Sequence, residues 1–262
     1  MRVALVQMSI SAGAVEGNRR KALSLVLRAG EQKPDVIVLP EMWNTGFCYD
    51  TLKDIADRKG EPSITAMAEL ARSLCVNIVA GSIAEIADND GRVYNNAYVL
   101  DRQGKVVAVY SKVHLFSPMK EDKYFAAGDR AVVFDLDGVR CGIVVCFELR
   151  FPELARTLAL QGMRVLFVPA QWPDSRFSHW RTLTSARAIE NQVFVVACNR
   201  VGGKRMSFFG HSVVVNPWGE TVLEANDQEG VFVCDIDLEM VDHVRKTIPV
   251  FGSRRPDVYM LR

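Results

Sequence analysis

Apolar residues along this chain fall into two rhythms, short near-continuous runs and longer stretches with helical spacing. RVALVQM (2–8) predicts a strand. NRRKALSLVLRAGEQ (18–32) predicts a helix, with Asn18 placed as its N-cap. DVIVLPE (35–41) is apolar almost throughout, the mark of a strand buried on both faces. SITAMAELARSLC (63–75) predicts a second helix, capped by Ser63. NIVAGSIAE (77–85), RVYNNAYVLD (92–101) and KVVAVYSKVHL (105–115) predict strands, with DRQG (101–104) turning between the last two. AVVFDLD (131–137) and VRCGIVVC (139–146) bracket Gly138. A helix (152–161), a strand RVLFVPA (164–170), a helix through 174–192 and a strand VFVVACN (193–199) follow. SVVVNPWGE (212–220) and GVFVCDID (230–237) close the strand-rich part, and 238–262 reads as a short helix plus irregular chain.

Strands alternate with helices early and late, and hairpin-like pairs fill the middle. Helices must cover the apolar faces of such a sheet, so a layered α/β sandwich is expected. No linker-like or low-complexity segment divides the 262 residues, and one domain over 1–262 is the economical reading. Composition changes this little. Hydrophobic residues make up 49%, enough for a sizeable core, and 32 basic residues balance 31 acidic ones. That balance gives no reason to expect a nucleic-acid or anionic-membrane partner. No run reaches the ~20 apolar residues of a membrane helix, and the N-terminus lacks the features of a secretory signal. Cysteines 48, 75, 141, 146, 198 and 234 show no CxxC spacing, so reduced thiols in a cytoplasmic protein are expected, with neither a disulfide framework nor a metal site.

Three reactive side chains share a kind of position. Glu41 closes DVIVLPE, Lys112 lies in the strand beginning KVVAVYSK, and Cys146 closes VRCGIVVC. Ligands of α/β sheets bind beyond the carboxyl ends of strands. A free thiol with pKa ~8.5 is mostly protonated at neutral pH. A carboxylate can take that proton as general base. An ammonium favours the thiolate and can hold the oxyanion of an attacked carbonyl. The backbone N–H of Phe147 can aim at the same oxygen, and Pro152 suits the first turn of the helix that follows. Each residue also has a plain reading: Glu41 capping a loop, Lys112 solvated, Cys146 packed in the core. None of the four histidines sits in a Cys–His protease motif, and a structural or supporting role is expected for each.

VLPEMWNTGF (38–47), YSKVHLF (110–116) and VVCFELRFPEL (144–154) resemble the three signature regions of the nitrilase, or carbon–nitrogen hydrolase, superfamily. VALVQM, AGS (80–82), YNNAYV (94–99), AAGD (126–129) and RAIENQVFVVACN (187–199) extend that resemblance along the whole chain. It implies a four-layer αββα sandwich, with two mixed sheets flanked by helices. It implies Glu41 as general base, Lys112 as oxyanion-holding lysine, Cys146 as nucleophile and a thioester intermediate, with no metal or organic cofactor. Glu121 resembles a second glutamate near the triad that orients the lysine; otherwise it is a solvated charge in KEDK. Many relatives read Cys-Tyr-Asp where this chain has Cys146-Phe147-Glu148. The departure spares the triad but can alter polar contacts near the pocket.

QWPDSRFSHW (171–180) and RAIENQVFVVACN most resemble the ω-amidase, 2-oxoglutaramate amidase-like branch. That branch implies a short ω-monoamide of a 2-oxo dicarboxylic acid as substrate. Its carboxylate would need a cation, for which Arg176 is the candidate. Gln171, Trp172 and Phe177 are candidate pocket residues, although the two aromatics suit a core equally well. The resemblance also implies a homodimer or larger homo-oligomer, with the post-Cys helix and the tail 238–262 at the interface. The alternatives are another branch, acting on N-carbamoyl compounds, deaminated glutathione or nitriles, and a catalytically silent binding protein.

Overall fold

The computed structural model describes residues 1–203 and 206–259. Its strands are β1 (Arg2–Gln7), β2 (Val36–Val38), β3 (Asp57–Arg58), β4 (Asn77–Ile86), β5 (Val93–Leu100), β6 (Val106–Ser111), β7 (Val133–Leu136), β8 (Val139–Ile143), β9 (Val165–Pro169), β10 (Phe194–Cys198), β11 (Val201–Gly202), β12 (Phe208–Phe209), β13 (Val213–Val215), β14 (Thr221–Glu224) and β15 (Gly230–Asp235). Its helices are α1 (Val15–Gly30), α2 (Leu52–Ile55), α3 (Ser63–Leu74), α4 (Glu121–Tyr124), α5 (Pro152–Leu160), α6 (Phe177–Asn191) and α7 (Glu239–Thr247).

Two mixed sheets carry the fold. One runs β15-β1-β2-β4-β5-β6, with β3 added beside β4; the other runs β14-β13-β10-β9-β8-β7. Each has a parallel centre, β1-β2-β4 in one and β8-β9-β10 in the other, edged by antiparallel strands. The period-2 alternation of strand side chains builds the layers. Val3, Leu5, Val36 and Val38 of the first sheet join Ile143, Val165, Phe167 and Val195 of the second in one core between the sheets. Their neighbours Ala4, Val6 and Ile37 face outward onto Ala22, Val26, Met67 and Ala71 of α1 and α3. Leu154, Leu158 and Ala188 of α5 and α6 join the core from the second sheet's side. The order helix–sheet–sheet–helix is the expected αββα sandwich.

Two predicted caps are corrected. Asn18 lies inside α1, which starts at Val15, and is buried. Its carboxamide is held by Ser11, accepting from the backbone N–H (2.9 Å) and donating to the carbonyl (2.8 Å), and it also donates to the Asn44 carbonyl (2.9 Å). It ties the helix to the chain after Glu41 rather than capping the helix. Ser63 is the first residue of α3, and Asp57 Oδ2 accepts its N–H at 2.9 Å, so the acid satisfies the helix end. The tail forms α7 as expected, while its last residues, 260–262, lie outside the described residues.

Candidate active site

The segment carrying Glu41 leaves β2 and runs along a bulge in β4 between Val79 and Ser82. Leu39 N–H donates to the Val79 carbonyl (3.0 Å), Ser82 N–H to Pro40 (3.2 Å) and Met42 N–H to Ser82 Oγ (3.0 Å). The approach needs Gly81, whose φ is +57° and whose absent Cβ would stand 2.1 Å from the Pro40 carbonyl oxygen. Lys112 follows β6 directly and is pinned by its N–H to the Asn95 carbonyl (2.9 Å). Cys146 comes three residues after β8 ends. Its φ of +51° turns the chain into a 3₁₀ segment, Cys146–Arg150, ahead of α5, which Pro152 opens. A left-handed non-glycine residue at a strand-to-helix turn pushes its side chain out of the sheet toward a cleft.

These three ends meet. Lys112 Nζ donates to Glu41 Oε1 at 2.8 Å and lies 2.9 Å from Glu121 Oε2, with the ammonium fully buried. Glu41 also accepts from Asn95 Nδ2 (2.9 Å) and from the Gln171 N–H (3.0 Å). Glu121 further accepts the Phe116 N–H at 3.0 Å. Cys146 Sγ sits 3.6 Å from the Gln171 carbonyl oxygen. All four side chains line one cleft, part of it open to solvent. Phe47, Phe116, Met119, Phe147, Arg150, Trp172 and Arg176 form its walls.

Electrostatics sets the resting protonation. Burial works against the Lys112 ammonium, but the Glu41 and Glu121 carboxylates outweigh it and hold its pKa above the ordinary lysine value. Burial raises Glu121, opposed by Lys112. Burial, then the Glu41 charge, pushes the Cys146 thiol well up, so it rests protonated beside a carboxylate. A neutral thiol, a base next to it and a buried cation form a set able to attack a carbonyl and hold the resulting oxyanion.

The other predicted residues divide. Trp172 and Arg176 line the cleft, and Trp172 Nε1 donates to the Arg176 carbonyl at 2.8 Å, closing that loop. Gln171 lines it too, but its side chain is taken: Nε2 donates to the Glu41 carbonyl (2.9 Å) and Oε1 accepts from buried Arg200 (3.0 Å). It braces Glu41 and leaves no free amide for a ligand. Phe177 is a correction. It opens α6 away from the cleft, against Phe209 (centroids 4.8 Å) and His211 (5.0 Å), because the α6 start points that ring at β12. Sequence reading missed Arg150, whose guanidinium stacks 4.8 Å from the Trp172 ring and meets His179 Nδ1 at 3.2 Å. Its place four residues after Cys146, on the same turn, was the available signal. It also missed Asn95 and Asn199; Asn199 accepts the Trp172 N–H (2.7 Å) and donates to its carbonyl (3.1 Å).

The chain is similar to known proteins along nearly its whole length. The carbon-nitrogen hydrolase family model matches residues 2–246. The chain is 40% identical to the 2-oxoglutaramate amidase of Bacillus subtilis (strain 168) over 258 residues, 98% of each chain. It is 32% identical to the omega-amidase NIT2 of Homo sapiens over 268 aligned positions, covering 98% of this chain and 96% of that one. Among solved structures, Saccharomyces cerevisiae Nit3, a member of branch 10 of the nitrilase superfamily, superposes with a TM-score of 0.90 at 29% identity, covering 97% and 96% of the two chains.

Proposed function

The chain belongs to the carbon-nitrogen hydrolase family, and from that premise we propose that it is a cysteine amidase that cleaves the terminal amide of a short, carboxylate-bearing substrate, an ω-amide of a 2-oxo dicarboxylic acid. In this reading Glu41 Oε takes the thiol proton as Cys146 Sγ bonds to the amide carbon. Lys112 Nζ and the Phe147 N–H hold the oxyanion. The tetrahedral species collapses, the C–N bond breaks, and the leaving nitrogen takes the proton from Glu41 to depart as ammonia. A thioester remains. Water then gives a proton to Glu41 and bonds to the same carbon, the C–S bond breaks, and the proton returns to sulfur. Glu121 keeps Lys112 charged and aimed. Phe147 lacks a hydroxyl, but only its backbone takes part.

The observation that carries the substrate class is the pair of guanidiniums lining the cleft. Arg150 and Arg176 both line it, and neither pairs with a carboxylate among the described residues. Burial first, then the charge of Arg176, holds the Arg150 pKa below its ordinary value, a cost of desolvation to which the second cation adds. A substrate carboxylate between them relieves that cost through charge-assisted hydrogen bonds. The reading matches the activity named for the Bacillus subtilis relative.

The six free cysteines support a reducing, cytoplasmic setting, and no helix among the described residues is long and apolar enough to cross a membrane. Exposed Leu160, Ile189, Ile248, Val258 and Tyr259 on α5, α6 and the tail support a homodimer through that face, with 1–262 acting as one domain. The test is ammonia release from 2-oxoglutaramate, set against acetamide, an N-carbamoyl amino acid and a nitrile. Preference for the carboxylate-bearing amide is expected. Turnover of the carbamoyl compound or nitrile alone would move the chain to another branch, and no turnover by folded protein would leave a binding role.

A further inference from the structure

Glu148 is fully buried two residues after Cys146, and its carboxylate accepts four hydrogen bonds. Oε1 takes the Tyr110 hydroxyl (2.6 Å), the Val113 N–H (2.8 Å) and the His114 N–H (3.0 Å). Oε2 takes the Val145 N–H at 2.7 Å. Val113 and His114 directly follow Lys112, and Val145 directly precedes Cys146. One carboxylate therefore spans the two backbone segments that carry the buried cation and the thiol.

The Val145 end is bonded twice. The Glu148 N–H returns a bond to the Val145 carbonyl at 3.1 Å, closing a ring around Cys146 and Phe147. Cys146 sits inside that ring at φ +51°, a conformation that persists only where its surroundings over-determine it. The Phe147 N–H, the backbone donor proposed for the oxyanion, lies in the same ring. Among the described residues no lysine or arginine forms a salt bridge with Glu148, and His114 Nδ1 stands 3.6 Å from its Oε1. The carboxylate is held by donors from two separate segments, 110–114 and Val145, which is an expensive arrangement for packing alone.

We propose that Glu148 is a positioning residue that fixes the distance between Lys112 and the Cys146–Phe147 turn. The inference rests on the amidase reading of the site. It also gives the departure at 148 a meaning. The longer acid reaches across to the Lys112 segment while still gripping the Val145 N–H. Glutamine in its place keeps the shape but turns an amide N–H toward donors. Aspartate keeps the charge but stops one methylene short.

The test compares Glu148→Gln, Glu148→Asp and Tyr110→Phe with wild type, each checked for folding by circular dichroism. Two rates are read per folded molecule: iodoacetamide alkylation at the Cys146 peptide by mass spectrometry, and kcat for ammonia release from 2-oxoglutaramate. A misplacement of about 1 Å predicts a kcat loss of about 100-fold in Glu148→Gln. Alkylation, which needs no oxyanion to be held, is expected to slow by roughly 10-fold, with Glu148→Asp restoring part of both rates. Tyr110→Phe removes one bond but neither backbone grip. Both its rates should stay within about 3-fold of wild type even where it melts earlier. Folded Glu148→Asp or Glu148→Gln with wild-type alkylation and kcat would overturn the proposal. So would equal losses of rate in Tyr110→Phe. A wild type that alkylates but releases no ammonia sinks the substrate reading instead, and the alkylation comparison still decides Glu148.

Discussion

Replacing Lys112 with methionine keeps the side chain's length and removes its charge. Lys112 Nζ lies 2.8 Å from Glu41 and 2.9 Å from Glu121, and all three side chains are buried. The variant leaves two carboxyls facing each other in a dry site. Removing one partner of a buried pair costs about 3–5 kcal/mol. At roughly 2–4 °C per kcal/mol for a chain of this size, Tm falls by about 6–20 °C. The loss has a pH sign. In wild type the raised lysine pKa means the Lys112 contribution is complete below the ordinary lysine range and is lost only as pH climbs through the raised value. It therefore adds no slope between about pH 5 and pH 8. In the variant the carboxyl pair holds a proton that the unfolded chain releases, so the folded state binds more protons and stability falls as pH rises over that interval. Removing an oxyanion donor also lowers kcat by roughly 100- to 1000-fold. Differential scanning fluorimetry at the two pH values and ammonia release check both effects. A variant that melts with wild-type Tm, or loses more Tm at the lower pH, or keeps kcat within about 10-fold, would refute the reasoning.

Further outcomes follow from the same geometry. Arg150→Ala or Arg176→Ala removes one charged hydrogen-bond partner worth about 1.5–3 kcal/mol, so KM for 2-oxoglutaramate should rise roughly 10- to 100-fold while turnover of uncharged acetamide barely moves; equal effects on both amides would exclude a carboxylate clamp. Because burial and the Glu41 charge hold the Cys146 thiol protonated, wild-type alkylation should show no thiolate plateau below about pH 9, and a plateau centred near neutral pH would mean a preformed thiolate. Gly81→Ala puts a Cβ 2.1 Å from the Pro40 oxygen at positive φ, so it should lose both Tm and activity, whereas wild-type behaviour would show that the Glu41 segment does not depend on that approach.

Much of this was legible in the chain because strand periodicity and the reactive residues at strand ends are local signals. Glu41, Lys112 and Cys146 stand out as polar residues that close apolar runs. Their meeting is not local: it depends on β2 and β8 lying in different sheets brought face to face by Val38, Ile143 and their neighbours. The apolar run 35–41 overstates β2, which spans only Val36–Val38, because Leu39, Met42 and Trp43 are buried by tertiary packing outside the ladder. Phe177 and Trp172 look alike in sequence, yet the α6 start sets one ring against β12, while the loop before it places the other along the cleft. The side-chain braces from Gln171 to Glu41 and Arg200, and from Glu148 to the 110–114 stretch, were invisible because those partners lie far along the chain.

The most direct measurement is intact-protein mass spectrometry of enzyme quenched during turnover of 2-oxoglutaramate, with peptide mapping and a Cys146→Ala control. The account predicts an adduct of the substrate mass less ammonia, confined to the Cys146 peptide of the active enzyme, and neither adduct nor turnover in Cys146→Ala. Turnover that survives in Cys146→Ala, or an adduct on another residue, would contradict it.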